Sequence, residues 1–122
     1  MIDHLGLGVS DYAASKAFFL KALQPLGWGV VMEGPYGVGI GPVGKPFLWL
    51  HQATGQPTPL HLAFGAADRK QVDDFHRAAL AAGGQDNGPP GLRPHYHADY
   101  YAAFVIGPDG HNVEAVCHKP QG

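Results

Sequence analysis

The chain has 122 residues, of which 45% are hydrophobic and 15% charged, and its net charge is −2 with the eight histidines neutral. This composition is typical of one globular domain with a real core, and it offers no polybasic surface for nucleic acid or an anionic membrane. The apolar runs are too short to span a bilayer. The single cysteine, Cys117, excludes an internal disulfide framework, and the N-terminus lacks the features of a signal peptide. We therefore expect a cytoplasmic protein.

Module one, which we place at residues 1–54, opens with a predicted strand. Leu5, Leu7 and Val9 share its bulky face, whereas His4 shares the other face with two glycines. A helix follows, capped by Ser10 or Asp11 and ended by a glycine. Three strand candidates complete the module: Trp28–Glu33, Tyr36–Ile40 and Phe47–His51.

Module two, placed at residues 58–119, repeats this order after a linker at residues 55–59. Its first strand carries His61 on the uncrowded face, and Asp68 is expected to cap its helix. A loop rich in glycine and proline is predicted over residues 86–94, with one short strand between Gly84 and His95. The last two strands are predicted at Tyr100–Ile106 and Asn112–His118.

The two modules are copies of one unit. Residues 4–27 align with residues 61–84 without a gap, and eight of the 24 pairs are identical. The identical pairs are His4/His61, Leu5/Leu62, Gly8/Gly65, Asp11/Asp68, Phe18/Phe75, Ala22/Ala79, Leu23/Leu80 and Gly27/Gly84. We therefore predict a single α+β domain over residues 1–122, in which tandem βαβββ modules form a cupped mixed sheet with helices on the outside.

Three residues form a candidate metal site. His4 and His61 occupy equivalent positions in the two copies, and Glu114 lies on the last predicted strand between apolar neighbours. An unpaired buried carboxylate is costly, so Glu114 needs a partner. Two neutral imidazoles and one carboxylate suit a divalent ion (Fe, Mn, Zn, Ni or Co) with open positions for water and substrate. The alternative is that the two histidines are structural residues, hydrogen-bonded on their strands, and that Glu114 faces solvent.

These residues resemble the vicinal oxygen chelate superfamily, which comprises glyoxalase I, extradiol dioxygenases, fosfomycin-resistance thiol transferases and bleomycin-resistance proteins. The βαβββ duplication carries the resemblance, together with His4 in Ile2–Leu5, His61 in Leu60–Phe64 and the run Asp109–Glu114. It covers essentially the whole chain. It implies a metal bound by His4, His61 and Glu114 at the mouth of a cupped sheet, a substrate chelated through adjacent oxygens, and a homodimer.

One departure from glyoxalase I concerns a fourth ligand, which the resemblance places on the last strand of module one. That region has Trp49, which cannot ligate, and His51, which remains an alternative ligand. We assign Trp49 and His51 to substrate binding. Two histidines and one glutamate resemble the dioxygenases and thiol transferases more closely.

Further candidates lie between the predicted strands of module two. His97 and Tyr100 are the candidate catalytic acid–base residues, since both side chains donate and accept hydrogen bonds. Arg93 is a candidate for binding an anionic group of the substrate. The alternative for His97 and Tyr100 is a structural one, in which they belong to a loop and the tyrosine packs on the sheet. The alternative for Arg93 is that it simply faces water. We expect His111 to be exposed in its turn.

Two functions remain open. The first is a metal-dependent enzyme that chelates vicinal oxygens of a small substrate and stabilises an oxyanion, as an isomerase, a thiol transferase or a ring-cleaving dioxygenase. The second is a non-catalytic small-molecule or antibiotic-binding protein of the bleomycin-resistance type.

Overall fold

The structure, a computed structural model of the chain, describes residues 1–120. Two successive copies of one order of elements confirm the α+β class and the tandem βαβββ modules. Module one contains β1 (Leu5–Val9), α1 (Tyr12–Leu23), β2 (Gly29–Gly34), β3 (Gly37–Gly41) and β4 (Leu48–Gln52). Module two contains β5 (His61–Gly65), α2 (Arg69–Ala81), β6 (Gln85–Leu92), β7 (Tyr101–Ile106) and β8 (Asn112–Cys117).

Both helices begin at an aspartate whose carboxylate accepts a free backbone N–H of the first turn. Asp11 accepts from Ala14 at 3.1 Å, and Asp68 accepts from Gln71 at 2.8 Å. Of the two predicted caps of α1, the structure selects Asp11. A short 3₁₀ helix continues α1 as far as Gly27, whose φ of 83° is a left-handed conformation that favours glycine.

Each module forms its own four-stranded mixed sheet, in the orders β1-β4-β3-β2 and β5-β8-β7-β6. Gly6 of β1 lies opposite Trp49 of β4, and Ala63 of β5 lies opposite Glu114 of β8. Because Gly6 and Ala63 are equivalent in the duplication, this register places Trp49 where module two has Glu114.

The segment expected to be a loop at residues 86–94 is mostly strand β6, which is longer than the predicted short strand. It lies at the edge of its sheet and pairs with β7 through register shifts between Asp86 and Gly88 and between Gly88 and Gly91. Prolines disrupt a central strand but are tolerated at an edge strand with bulges. This explains why Pro89 and Pro90 do not interrupt β6.

One hydrophobic core joins the two modules. It contains Phe18 and Phe19 of α1, Phe75 of α2 and the helix-facing side chains of both sheets. Trp28 of module one packs edge-on against Phe64 of module two, with ring centroids 5.3 Å apart. Because the helix-facing sides share this core, the sheet faces that carry Trp49 and Glu114 point away from it. None of the helices in residues 1–120 has the length and apolar character needed to cross a membrane.

Candidate metal centre

His61 and Glu114 lie on neighbouring parallel strands and face one another. Nε2 of His61 lies 2.7 Å from Oε1 of Glu114. The Glu114 side chain is only 1% exposed, whereas that of His61 is 55% exposed. A buried carboxylate is stable only when it is paired or hydrogen-bonded. The imidazole supplies one partner and leaves the pair open to solvent on the His61 side.

Tyr100 supplies the second partner of this carboxylate. Its hydroxyl donates a hydrogen bond to Oε2 of Glu114. Burial, together with the hydrogen bond and the charge of Glu114, raises the pKa of Tyr100 to about 12. The phenol therefore keeps its proton at neutral pH and acts as a donor. Both carboxylate oxygens of Glu114 are thus engaged.

His4 stands apart from this pair. It precedes β1 and is exposed, and its Nδ1 lies 2.7 Å from Oδ1 of Asp3, which also pairs with Lys45. Over residues 1–120, no three His, Cys, Asp or Glu side chains are grouped so that they could hold a metal ion. The structure of one chain therefore brings together two of the three predicted ligands.

The two predicted ligands that do meet have suitable chemistry and spacing for a divalent ion. Imidazole nitrogen and carboxylate oxygen bind such an ion at about 2.0–2.2 Å, so two adjacent ligand atoms lie roughly 3 Å apart. Nε2 of His61 and Oε1 of Glu114, at 2.7 Å, need only a slight opening to reach that separation. The donor set fits a metal but is incomplete within one chain.

Two of the predicted substrate-binding residues, Trp49 and His51, lie together in module one. They line a cleft of about 630 Å³ with Tyr12, Tyr36 and Gln52. The Trp49 ring lies against Gly39, where an added Cβ would be 3.0 Å from the indole. This face therefore presents an aromatic wall where module two presents a carboxylate.

Arg93 and His97 lie in module two, near Tyr100 rather than in contact with Glu114. Arg93 donates to the carbonyls of Pro89 and Gly91, both at 2.9 Å, and its guanidinium lies 5.3 Å from the centre of the Phe104 ring. His97 packs edge-on against Tyr100, with ring centroids 5.4 Å apart.

His118 was not among the predicted site residues, yet it joins this cluster. Its Nδ1 lies 2.5 Å from Nε2 of His97, and the two rings are stacked. Asp99 N–H donates to Nδ1 of His97, so Nε2 of His97 is the donor towards His118. The available signal was strand alternation, because His118 continues the face of β8 that carries Glu114.

His111 was predicted to be exposed, and this is wrong. The side chain is fully buried, and its Nδ1 accepts the backbone N–H of Leu60 at 2.9 Å. A tertiary contact buries it, because the turn before His111 packs on module one. In this turn, Asp109 accepts hydrogen bonds from both N–H and Oγ of Ser10. Burial lowers the pKa of His111, although Asp109 partly opposes this effect.

Comparison with known proteins identifies the family. The sequence profile of the Glyoxalase/Bleomycin resistance protein/Dioxygenase superfamily matches residues 1–115. No curated protein matches the chain. Among solved structures, a glyoxalase/bleomycin resistance protein from Albidiferax ferrireducens T118 is 30% identical, with a TM-score of 0.79 over 96% of this chain and 97% of that one.

More distant structures share the fold. A glyoxalase-related enzyme from Fulvimarina pelagi is 24% identical, with a TM-score of 0.72 over 96% of this chain and 87% of its own. A glyoxalase/bleomycin resistance protein/dioxygenase family enzyme from Burkholderia phytofirmans PsJN is 19% identical, with a TM-score of 0.69 over 97% and 98% of the two chains. Together with the duplicated βαβββ fold, the profile match over residues 1–115 shows that the chain belongs to the Glyoxalase/Bleomycin resistance protein/Dioxygenase superfamily.

Proposed function

We propose that the protein is a metal-dependent enzyme that chelates adjacent oxygens of a small substrate. The observation that carries this proposal is the buried Glu114 carboxylate with Nε2 of His61 at 2.7 Å from one of its oxygens. The resemblance adds His4 as the third ligand. Cys117 is a free, buried thiol, which fits the cytoplasmic location that we propose.

We propose further that His4 comes from a second copy of the chain. His4 and His61 are equivalent in the duplication, but in one chain their modules share a core and the sheet faces that carry Trp49 and Glu114 point away from it. A symmetric homodimer in which module one of one chain covers module two of the other would bring His4 to His61 and Glu114. Each dimer would then hold two equivalent sites.

The chemistry follows from this donor set. A bound divalent ion (Fe, Mn, Zn, Ni or Co) would supply Lewis acidity that stabilises negative charge developing on the substrate oxygens. Tyr100 keeps its proton and donates a hydrogen bond, while His97, through its hydrogen bond to His118, would exchange a proton with the substrate. Trp49 and His51 of the partner subunit, with Arg93, would form the walls that bind the rest of the substrate.

A complementation experiment tests the ligands and their source at once. Metal content is measured on untagged wild type, His4→Ala, His61→Ala and a mixed preparation of the two variants. His76→Ala serves as the control, because His76 of α2 is hydrogen-bonded to Asp86 of β6 rather than to a proposed ligand. We expect about one ion per chain for wild type and the control, and almost none for either single variant.

The mixture distinguishes a site shared between chains from a site within one chain. Half of the randomly assembled dimers contain one variant of each kind, and each such dimer has one intact shared site. We therefore expect about one ion per four chains in the mixture. A mixture as empty as its parents would refute the shared site, and metal-free wild type that takes up no ion would refute the metal-dependent function.

A second candidate is a non-catalytic binder of small molecules or antibiotics, of the bleomycin-resistance type. The aromatic cleft of about 630 Å³ beside Trp49 and Tyr36 favours it, since aromatic walls bind ligands without chemistry. Protein that binds no metal but whose Trp49 fluorescence is quenched saturably by bleomycin would support this candidate. Trp28→Phe makes Trp49 the sole tryptophan for that measurement.

A further inference from the structure

We propose that Tyr100 is a positioning residue that orients Glu114, so that the carboxylate presents one chosen oxygen beside His61. A ring pair formed by His97 and His118 in turn holds Tyr100 in place. This inference rests on the proposed metal site, because it concerns the orientation of one of its ligands. It assigns Tyr100 a role other than proton exchange with the substrate.

The two oxygens of Glu114 have different partners. Oε1 lies beside Nε2 of His61 at 2.7 Å, and Oε2 accepts the Tyr100 hydroxyl. A carboxylate that is held at one oxygen by a donor cannot turn to offer both oxygens to an ion without breaking that hydrogen bond. Tyr100 therefore fixes the orientation of the carboxylate, so that Oε1 is the oxygen presented beside His61.

Tyr100 is an outer partner of a proposed metal ligand. Its hydroxyl is the donor in this hydrogen bond, because an ionised carboxylate only accepts. Outer partners of this kind fix the orientation and basicity of metal ligands, and their loss weakens metal binding by roughly 10- to 100-fold.

The Tyr100 ring is itself held by its neighbours. It meets the rings of His97 and His118 edge-on, with centroids at 5.4 and 5.3 Å and interplanar angles of 80° and 87°. Tyr96 lies against it at 4.8 Å. Since His97 and His118 are hydrogen-bonded and stacked, they form a single wall behind the tyrosine.

The next residue provides a matched control. The Tyr101 hydroxyl donates to Asp73 at 2.6 Å, and burial with that carboxylate raises the pKa of Tyr101 to about 12 as well. Tyr100→Phe and Tyr101→Phe thus each remove one hydroxyl that is bonded to a carboxylate. Only the first of these carboxylates is a proposed metal ligand.

The experiment titrates untagged, metal-free wild type, Tyr100→Phe and Tyr101→Phe with cobalt(II) and records the visible spectrum and the Kd. We expect Tyr100→Phe to weaken binding roughly 10- to 100-fold and to change the cobalt absorption bands, because Glu114 is free to rebind with both oxygens. Tyr101→Phe should retain the wild-type spectrum and affinity. His118→Ala should weaken cobalt binding. His118→Phe keeps an aromatic ring beside Tyr100 and should bind cobalt about as tightly as wild type.

The outcomes separate the two proposals. Wild type that binds no cobalt would refute the metal site and this inference with it. Normal binding by wild type, with the same Kd and spectrum for Tyr100→Phe, would refute only the positioning role. Equal weakening by Tyr100→Phe and Tyr101→Phe would also refute it, since the effect would then come from general destabilisation.

Discussion

Because His111 is buried, we expect acid to destabilise the protein through protonation of this one side chain. The side chain is fully buried and its Nδ1 accepts the backbone N–H of Leu60, so Nε2 carries the ring proton. Nε2 has no hydrogen-bond partner among residues 1–120. A second proton on the ring would turn the acceptor into a donor that faces the Leu60 N–H. The folded state therefore resists protonation of His111.

The pH dependence of the free energy of unfolding follows from the linkage between folding and proton binding at His111. The unfolded chain binds a proton at His111 with a pKa near 6.5, whereas burial holds the pKa of the folded form lower. Above the unfolded pKa, neither state binds the proton and the contribution to stability is complete. As the pH falls below that value, the free energy of unfolding drops by up to about 1.4 kcal/mol per pH unit, until the folded pKa is passed.

Urea unfolding of wild type and His111→Asn at a fixed protein concentration tests this. The asparagine keeps an acceptor near the position of Nδ1 but does not titrate. We expect the variant to be less stable at about pH 8 but to lose less stability between about pH 7 and pH 5. The other seven histidines are common to both proteins, so the difference between the curves isolates His111. Parallel curves would refute the reasoning.

Three further changes should alter stability, measured by denaturant unfolding. Gly39→Ala should cost about 1–3 kcal/mol, because its Cβ would lie 3.0 Å from Trp49, whereas Gly6→Ala, with nothing within 4 Å, should change stability by less than about 0.5 kcal/mol. Equal effects would contradict this. Asp109→Ala should cost about 2 kcal/mol, since it removes the acceptor for Ser10 and places alanine at a φ of 62°; wild-type stability would argue against the contact. Phe75→Ala should cost about 3–5 kcal/mol from the empty core, and a smaller loss would mean that the core collapses around it.

The elements and their order could be predicted because their signals are local. Asp11 and Asp68 cap helices through atoms three residues away, and alternation along β1 and β5 assigns each side chain to a face. Because the modules are copies of one unit, a helix or strand predicted in one module supports the equivalent prediction in the other. Strand β6 was underestimated because Pro89 and Pro90 suit a loop as well as an edge strand, and only pairing with β7 decides between them.

The candidate site follows from the sequence only in part, again through local signals. Alternation places Glu114 on one face of β8, and the repeat marks His4 and His61, so the residue types and their faces follow from the sequence alone. The 2.7 Å contact between His61 and Glu114 and the engagement of Tyr100 depend on strand register, which the structure supplies.

Only the tertiary structure decided the contacts between parts of the chain that are distant in sequence. The sequence by itself determined a duplicated α+β domain and its helix caps, and it marked His61 and Glu114 as candidate metal ligands. It did not determine that His111 is buried, that His118 stacks on His97, or that the two modules share one core. Local patterns arise from neighbours along the chain, whereas these arrangements depend on how the two modules pack. The energies of that packing are shared among many residues far apart in sequence.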